Sequence, residues 1–262
     1  MIIMEDKENN NKINQKIDDI KEIKKNSDSK VNVNLEENSI ETVIQGEVEE
    51  QLNPISYLLE AGVQIATKTK SAGMKRFIYK VREDGLYLLD VKTINARIKI
   101  AASMIARYDS KDVIVTASRI YAIAAAKKFS EIINATFISG RVTPGIFTNP
   151  NKKDYMEKKL ILISDSRNEK QAVKEASMEN MSIIALCDTD NLTKFIDLII
   201  PANNRGRRSL AYIYFLMARE ILKQKGEIKS YEEFNKAHTV DEFEAVVEQK
   251  EKIQVQPDAI HQ

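Results

Sequence analysis

The segment Asn203-Asn204-Arg205-Gly206-Arg207-Arg208-Ser209 places three guanidinium groups around a glycine where a helical pattern begins. A helix start offers free N–H groups and the positive end of a dipole, so arginines gathered there make a seat for one phosphate of a nucleotide or of an RNA backbone. A second basic group, Lys68, Lys70, Lys75, Arg76, Lys80 and Arg82, surrounds a polar loop and the hairpin pattern that follows it. Carboxylates are the other candidates. Asp165 in Ser164-Asp165-Ser166 and Asp188 in Cys187-Asp188-Thr189-Asp190 each follow an apolar run, where an enzyme would use them as acid/base groups or to hold Mg²⁺. The competing reading makes them helix caps and turn formers, which every strand-to-helix junction needs, and it is preferred on that ground. Thr116-Ala117-Ser118 and Ser139-Gly140-Arg141 stand at the corresponding junctions, and Arg141 adds one more cation.

Other chemistries lack raw material. The single Cys187 cannot close an intrachain disulfide, and with only His238 and His261 it cannot build a zinc module. No two of the eight glycines are two apart, so the dinucleotide fingerprint G-x-G-x-x-G does not occur. Gly140 and Gly145 have the spacing of a phosphate-binding loop, but Ile146-Phe147 follow where Lys-Ser/Thr would reach the phosphate. Both histidines lie toward the end of the chain, which leaves a His-based triad without a base, and Cys187 is expected to be a small core residue. No cofactor is expected. Apolar stretches such as Tyr212 to Ala218 are far too short to span a bilayer, and the start MIIMEDKENN has no apolar leader region, so a soluble, intracellular protein with no membrane partner is expected.

The elements that must position these residues follow from periodicity. Pro54 opens the helical run ISYLLEAGV, ending at Gly62, and Phe77–Val81 and Leu86–Val91 flank Glu83-Asp84-Gly85 as an antiparallel hairpin. Thr93 is expected to cap a helix with Ile94, Ile98, Ala101 and Ile105 on one face. After it, strands at Asp112–Thr116, Ala135–Ser139, Leu160–Ser164, Ser182–Leu186 and Leu198–Ile200 are separated by helices at Arg119–Phe129 and Glu169–Met178 and by a short helix near Asn191–Phe195. A long helix from Arg207 to about Lys223 closes the series. Short apolar strands alternating with helices predict an α/β fold, doubly wound, with a parallel sheet covered on both faces.

Charge divides the chain into three. Residues 1–50 hold 7 Lys/Arg against 13 Asp/Glu and contain no aromatic residue, so they are expected to be a disordered acidic arm. Residues 226–262 hold 4 against 9 and form an acidic extension in which Tyr231, Phe234, Phe243, Val246 and Val247 allow a small helical element. Residues 51–225 carry a net charge of +12, a body that attracts polyanions. Three functions compete: an RNA-binding structural protein, an α/β enzyme or binding protein for a phosphorylated small molecule held by Arg205, Arg207 and Arg208, and an adaptor whose acidic arm takes basic partners. The basic body without a nucleotide fingerprint favours the first. Because aromatic residues are few and mostly lie in apolar runs, folded RNA met by shape and phosphate contact is expected rather than a single strand.

The strings YLLEAGVQIATKTKSAGMKRFIYKVREDGLYLLDVKT, SGRVTPGIFTNP, LILISDSR, ALCDTDN and DLIIPANNRGRRSLAYIYFLMARE, in this order, resemble the S-two family of small-subunit ribosomal proteins over about Asn53 to Gln224. The wording is similar to the archaeal branch and to the related eukaryotic laminin-receptor-like one: Thr143-Pro144-Gly145 replaces a bacterial Trp-containing segment, and the stretch Val91 to Val113 has room for one helix only. Gln64 stands where many members have a His, so no role of that His carries over. The resemblance implies a flavodoxin-like sheet, no catalysis and no small-molecule substrate. It also implies a cytoplasmic place in the small ribosomal subunit, with small-subunit rRNA and neighbouring ribosomal proteins as partners in assembly and translation. The matched positions implied for rRNA contact are Lys68 to Arg76 and Asn203 to Arg208, with Arg141 added; the acidic arm matches no motif of the family.

Overall fold

The computed structural model describes residues 57–245. The expectations for the arm 1–50, for Pro54 and for the end of the extension beyond 245 therefore lie outside the described residues. A helical turn at 57–60 stops at Gly62, whose φ of +68° is the left-handed conformation that ends helices. The hairpin forms where Asp84-Gly85 predicts it: β1 (Ile78–Val81) pairs antiparallel with β2 (Tyr87–Leu89). Ile78 faces Leu89 and Lys80 faces Leu88, so Tyr79 is an extra residue in β1, a β-bulge.

Helix α1 (Val91–Ala106) buries Ile94, Ile98, Ala101, Ala102 and Ile105, the predicted stripe with one more alanine. Its cap is a correction: Asp90, not Thr93, precedes the first helical residue and accepts hydrogen bonds from the N–H groups of Lys92 (3.2 Å) and Thr93 (3.3 Å). The Thr93 hydroxyl also donates to that carboxylate. Asp90→Ala is expected to cost about 1 kcal/mol of stability, read as a lowered Tm with an unchanged fold.

Among the described residues five parallel strands follow: β3 (Val113–Ala117), β4 (Thr136–Ser139), β5 (Leu160–Ile163), β6 (Ser182–Cys187) and β7 (Leu198–Pro201). Their spatial order is β4-β3-β5-β6-β7, the flavodoxin-like order, with Val115 beside both Phe137 and Leu162. Strands β3, β5 and β7 are buried at every position, which explains why their side chains are apolar except for Thr116. Helix α2 (Ile120–Ile133) joins β3 to β4 and runs one turn beyond its predicted end, to Asn134 at φ 55°. Helix α3 (Lys170–Met178) joins β5 to β6, and α4 (Arg207–Lys225) follows β7. The connection from β3 steps one way along the sheet and that from β5 the other, so right-handed crossovers put α2 and α3 on opposite faces. Helix α4 packs against both α1 and α2.

The short helix expected near Asn191–Phe195 is absent. That segment is irregular apart from a turn at 194–195, and Phe195 sits at φ 65°, a conformation no α-helix contains. Beyond Gly226 the expected helical element is α5 (Tyr231–Ala237), followed by a 3-10 turn at Val240–Phe243. Both phenylalanines of this stretch are buried against Phe215 of α4, with ring centroids 5.1 Å (Phe234) and 5.7 Å (Phe243) away. At the centre Tyr214 of α4 is fully buried and meets the Ser164 hydroxyl at 2.6 Å, while that hydroxyl donates to the Thr116 carbonyl at 2.7 Å. One polar thread thus ties α4 to two strands across an apolar interior.

Candidate nucleic-acid interface

The carboxyl end of β6 runs into Asp188-Thr189-Asp190, and two sequence-distant basic segments attach to it. From one side comes the loop 67–73. The Ser71 N–H donates to the Thr189 carbonyl at 2.7 Å, the hydroxyls of Thr67 and Thr189 lie 2.9 Å apart, and the Thr67 N–H reaches Asp188 at 3.3 Å. Gly73 stands so close to Thr193 that a Cβ there would lie 2.1 Å from its hydroxyl oxygen, so any other residue would force the Thr193 side chain to move. From the other side Arg205 forms ion pairs with Asp190 and, at 3.5 Å, with Asp188. Asn203 holds this second segment in place: its N–H donates to the Val63 carbonyl, and its side-chain oxygen accepts from the N–H groups of Arg205 (3.0 Å) and Gly206 (3.1 Å).

The fold therefore brings Lys68, Lys70, Lys75 and Arg76 to the same rim of the sheet as Arg205, Arg207 and Arg208. These cations are not equivalent. Lys68, Lys70, Lys75 and Arg76 are all exposed, with the Lys70 ammonium 5.0 Å from the centre of the Tyr87 ring and the Arg76 guanidinium 4.8 Å from that of Phe77. Arg205 serves Asp188 and Asp190, and Arg207 pairs with Glu244 at 2.5 Å. Arg208 is exposed and forms no ion pair among the described residues. Lys80 and Arg82 are exposed on the hairpin, Arg82 pairing with Asp84 at 3.0 Å. Arg141 is not part of this gathering. It lies beyond β4 at the opposite edge of the sheet, on a crevice of about 520 Å³ shared with Ser118, Glu169 and Lys170.

The two candidate catalytic carboxylates are built into the rim as counter-ions. Asp165 is fully buried, and each of its oxygens is engaged: one takes the Arg119 guanidinium at 2.6 and 2.7 Å, the other the Arg167 N–H at 2.9 Å and the Asn191 amide at 3.0 Å. Asp188 has its proton affinity raised by burial and by neighbouring Asp190, opposed by the Thr189 N–H, Arg205 and the Thr67 N–H. Cys187 is a buried core residue, its thiol pushed up to about 12 by burial.

The switch point of the sheet lies between β3 and β5, where a doubly wound enzyme binds its ligand. Here Glu169 reaches across it, accepting hydrogen bonds from the Thr116 hydroxyl, from the Ser118 N–H at 3.0 Å and from the Ser118 hydroxyl at 3.1 Å. Burial pushes its carboxyl up to about 8, the hydrogen bonds from Thr116 and Ser118 pulling the other way. The loop with phosphate-loop glycine spacing is used in the same manner: the Gly145 N–H donates to the buried Glu175 carboxylate at 2.8 Å. Amides that could cradle a phosphate are thus taken by the chain's own carboxylates.

Sequence reasoning missed Glu169, the Arg119–Asp165 pair and Glu244. An acidic residue just before a helix gives the signal of an ordinary cap, and Thr116 is 53 residues from Glu169. Asp190 stood in the inspected segment without a role; its place between Arg167 and Arg205 depends on three separate loops meeting.

Comparison with known proteins follows the same lines. A family model described as ribosomal protein S2 matches residues 151–224. The small ribosomal subunit protein uS2 of Thermoplasma acidophilum is 50% identical over 199 residues, covering 76% of this chain and 99% of that protein. Its counterpart in Saccharolobus solfataricus is 46% identical over 181 residues, 69% of this chain and 78% of that one, and the protein of Methanoregula boonei is 46% identical over 180 residues, 69% and 89%. With an α/β sheet in flavodoxin-like order and relatives of this extent, the chain belongs to the ribosomal protein S2 family, structural rather than catalytic proteins of the small ribosomal subunit.

Proposed function

We propose that this protein is a structural constituent of the small ribosomal subunit in the cytoplasm. It holds small-subunit rRNA through many phosphate contacts, meets neighbouring ribosomal proteins and takes no small-molecule substrate. The observation that supports the reading most is the attachment of the Lys68–Arg76 loop to Thr189 and of Arg205 to Asp188 and Asp190, which brings cations from segments more than a hundred residues apart to one rim. Phosphates neutralised by such a rim release counter-ions, so affinity falls steeply with salt, by about 0.7 to 0.9 log units per log unit of salt for each contact. A rigid sheet edge fixes the spacing of the cations and suits a folded RNA.

Binding of the purified chain to small-subunit rRNA across a salt series tests this. A slope equivalent to several contacts is expected; binding that salt does not change would end the phosphate-contact reading. The arginines should separate in the same assay. Arg208→Ala is expected to lower the slope by about one contact and the affinity by roughly tenfold. Arg207→Ala should do less, because its guanidinium is already shared with Glu244. Equal effects would show that the Glu244 pair opens completely on RNA.

A further inference from the structure

Strand β1 and its flanks carry the run Lys75-Arg76-Phe77-Ile78-Tyr79-Lys80-Val81-Arg82, in which aromatic and apolar residues are interleaved with cations. Phe77 is buried, whereas Tyr79 is 65% exposed and Val81 54% exposed, so two large apolar side chains stand in water at the outer end of the body. Tyr79 is the bulged residue: Ile78 and Lys80 face successive residues of β2 and leave it without a cross-strand partner. A bulge re-aims the side chain it carries. The tyrosine ring has neither an aromatic neighbour nor a hydrogen bond from its hydroxyl among the described residues, unlike Tyr87 on the paired strand, which lies under the Lys70 ammonium.

We propose that Tyr79 stacks on an unpaired RNA base, with Lys80 holding a phosphate that flanks it and Arg82, shared with Asp84, contributing less. The inference rests on the rRNA-binding reading and adds to it a single-stranded contact, which composition alone disfavours. The occupant is chosen by charge and by shape. Between residues 75 and 84, Lys75, Arg76, Lys80 and Arg82 outnumber Glu83 and Asp84, which selects an anion. A flat, exposed π-face needs another flat face, which an unpaired base offers and a base stacked inside a duplex does not. Val81 extends the apolar strip beside the ring.

The test uses the full chain, a short unstructured uridine oligonucleotide and a duplex RNA of the same length, each titrated across a salt series. Tyr79→Ala should weaken oligonucleotide binding roughly tenfold to a hundredfold, leave its salt slope unchanged because the side chain carries no charge, and leave duplex binding as it was. Tyr79→Phe keeps the ring and should bind like the parent. Since the side chain is exposed, the variants are expected to melt with the parent, which a thermal scan checks. Equal binding of oligonucleotide by Tyr79→Ala and the parent would overturn the stacking proposal and point to a protein neighbour for this strip. So would equal losses on duplex and single strand, or a loss in Tyr79→Phe as large as in Tyr79→Ala. A parent chain that binds neither RNA would overturn the rRNA reading itself, which keeps the two failures distinguishable.

Discussion

Replacing Lys68, Lys70, Lys75 and Arg76 together by Ala is expected to lower affinity for small-subunit rRNA by roughly a thousandfold at about 0.1 M salt and to reduce the log–log salt slope by about 3. The four side chains are exposed, and none forms an ion pair among the described residues, so their positive charge is available to an anion. At about 0.1 M salt each phosphate neutralised by a cation is worth somewhat less than a factor of ten, and the factors for the four cations multiply. The fold should survive, because the loop is fixed by backbone bonds, Ser71 N–H to Thr189 among them, and not by these cations. A variant with intact melting behaviour and an unchanged slope would remove the 68–76 loop from the interface and leave Arg208 and the hairpin as its remaining cations.

The second large effect concerns stability and pH. In the folded chain the Glu169 carboxyl is pushed up to about 8 from an ordinary 4.5. Between those values the folded state keeps a proton that the unfolded state has released, so stability falls as pH rises. The contribution is full below the unfolded value, declines through about 8 and is flat above it. Its size is on the order of 5 kcal/mol, from the separation of the two values. Glu169→Gln has no proton to lose; its amide can accept from the Ser118 N–H and donate to the Thr116 hydroxyl. Urea midpoints measured from pH 5 to 9 should therefore lie closest for the two proteins at the acid end, diverge steadily up to about 8 and hold a constant gap above it, with the Gln variant the more stable. Parallel curves would show that Glu169 is ionised in the folded chain throughout.

The second effect arises where the sequence is least explicit. Runs such as Val113–Ala117 and Leu160–Ile163 announce buried strands because every side chain in them is apolar or small, and the order of strands and helices then leaves few topologies. Asp84-Gly85 announces a hairpin because its turn favours a residue with positive φ, which Gly85 supplies at +82°. The bulge at Tyr79 leaves no such trace, since alternation looks the same with or without an extra residue. The missing helix at 191–195 shows another limit: helix propensity is local, whereas Asn191 is held by Asp165 and the Leu192 carbonyl by Ser166, contacts from a different loop. Phe234 and Phe243 stand in a charged stretch and still reach the core, because two aromatic rings against Phe215 outweigh the solvation of their neighbours.

The site was legible as charge and not as geometry. Excess Lys and Arg in residues 51–225 points to a polyanion, but which cations are spent inside the protein depends on pairs such as Arg205 with Asp190 and Arg207 with Glu244, formed across loops. The carboxylates show the reverse. Asp165 and Asp188 have the positions of catalytic groups in a doubly wound enzyme, and the structure uses their charge to fix arginines at the rim. A long-range ion pair of this kind joins residues 46 apart in the case of Arg119 and Asp165. No periodicity encodes it.

Sedimentation of a native lysate through a sucrose gradient at low and high salt, following this protein against small-subunit rRNA, tests the ribosomal role most directly. Co-migration with the small subunit at low salt, loosened at high salt, is the predicted result. Migration as free protein at both salts would contradict it.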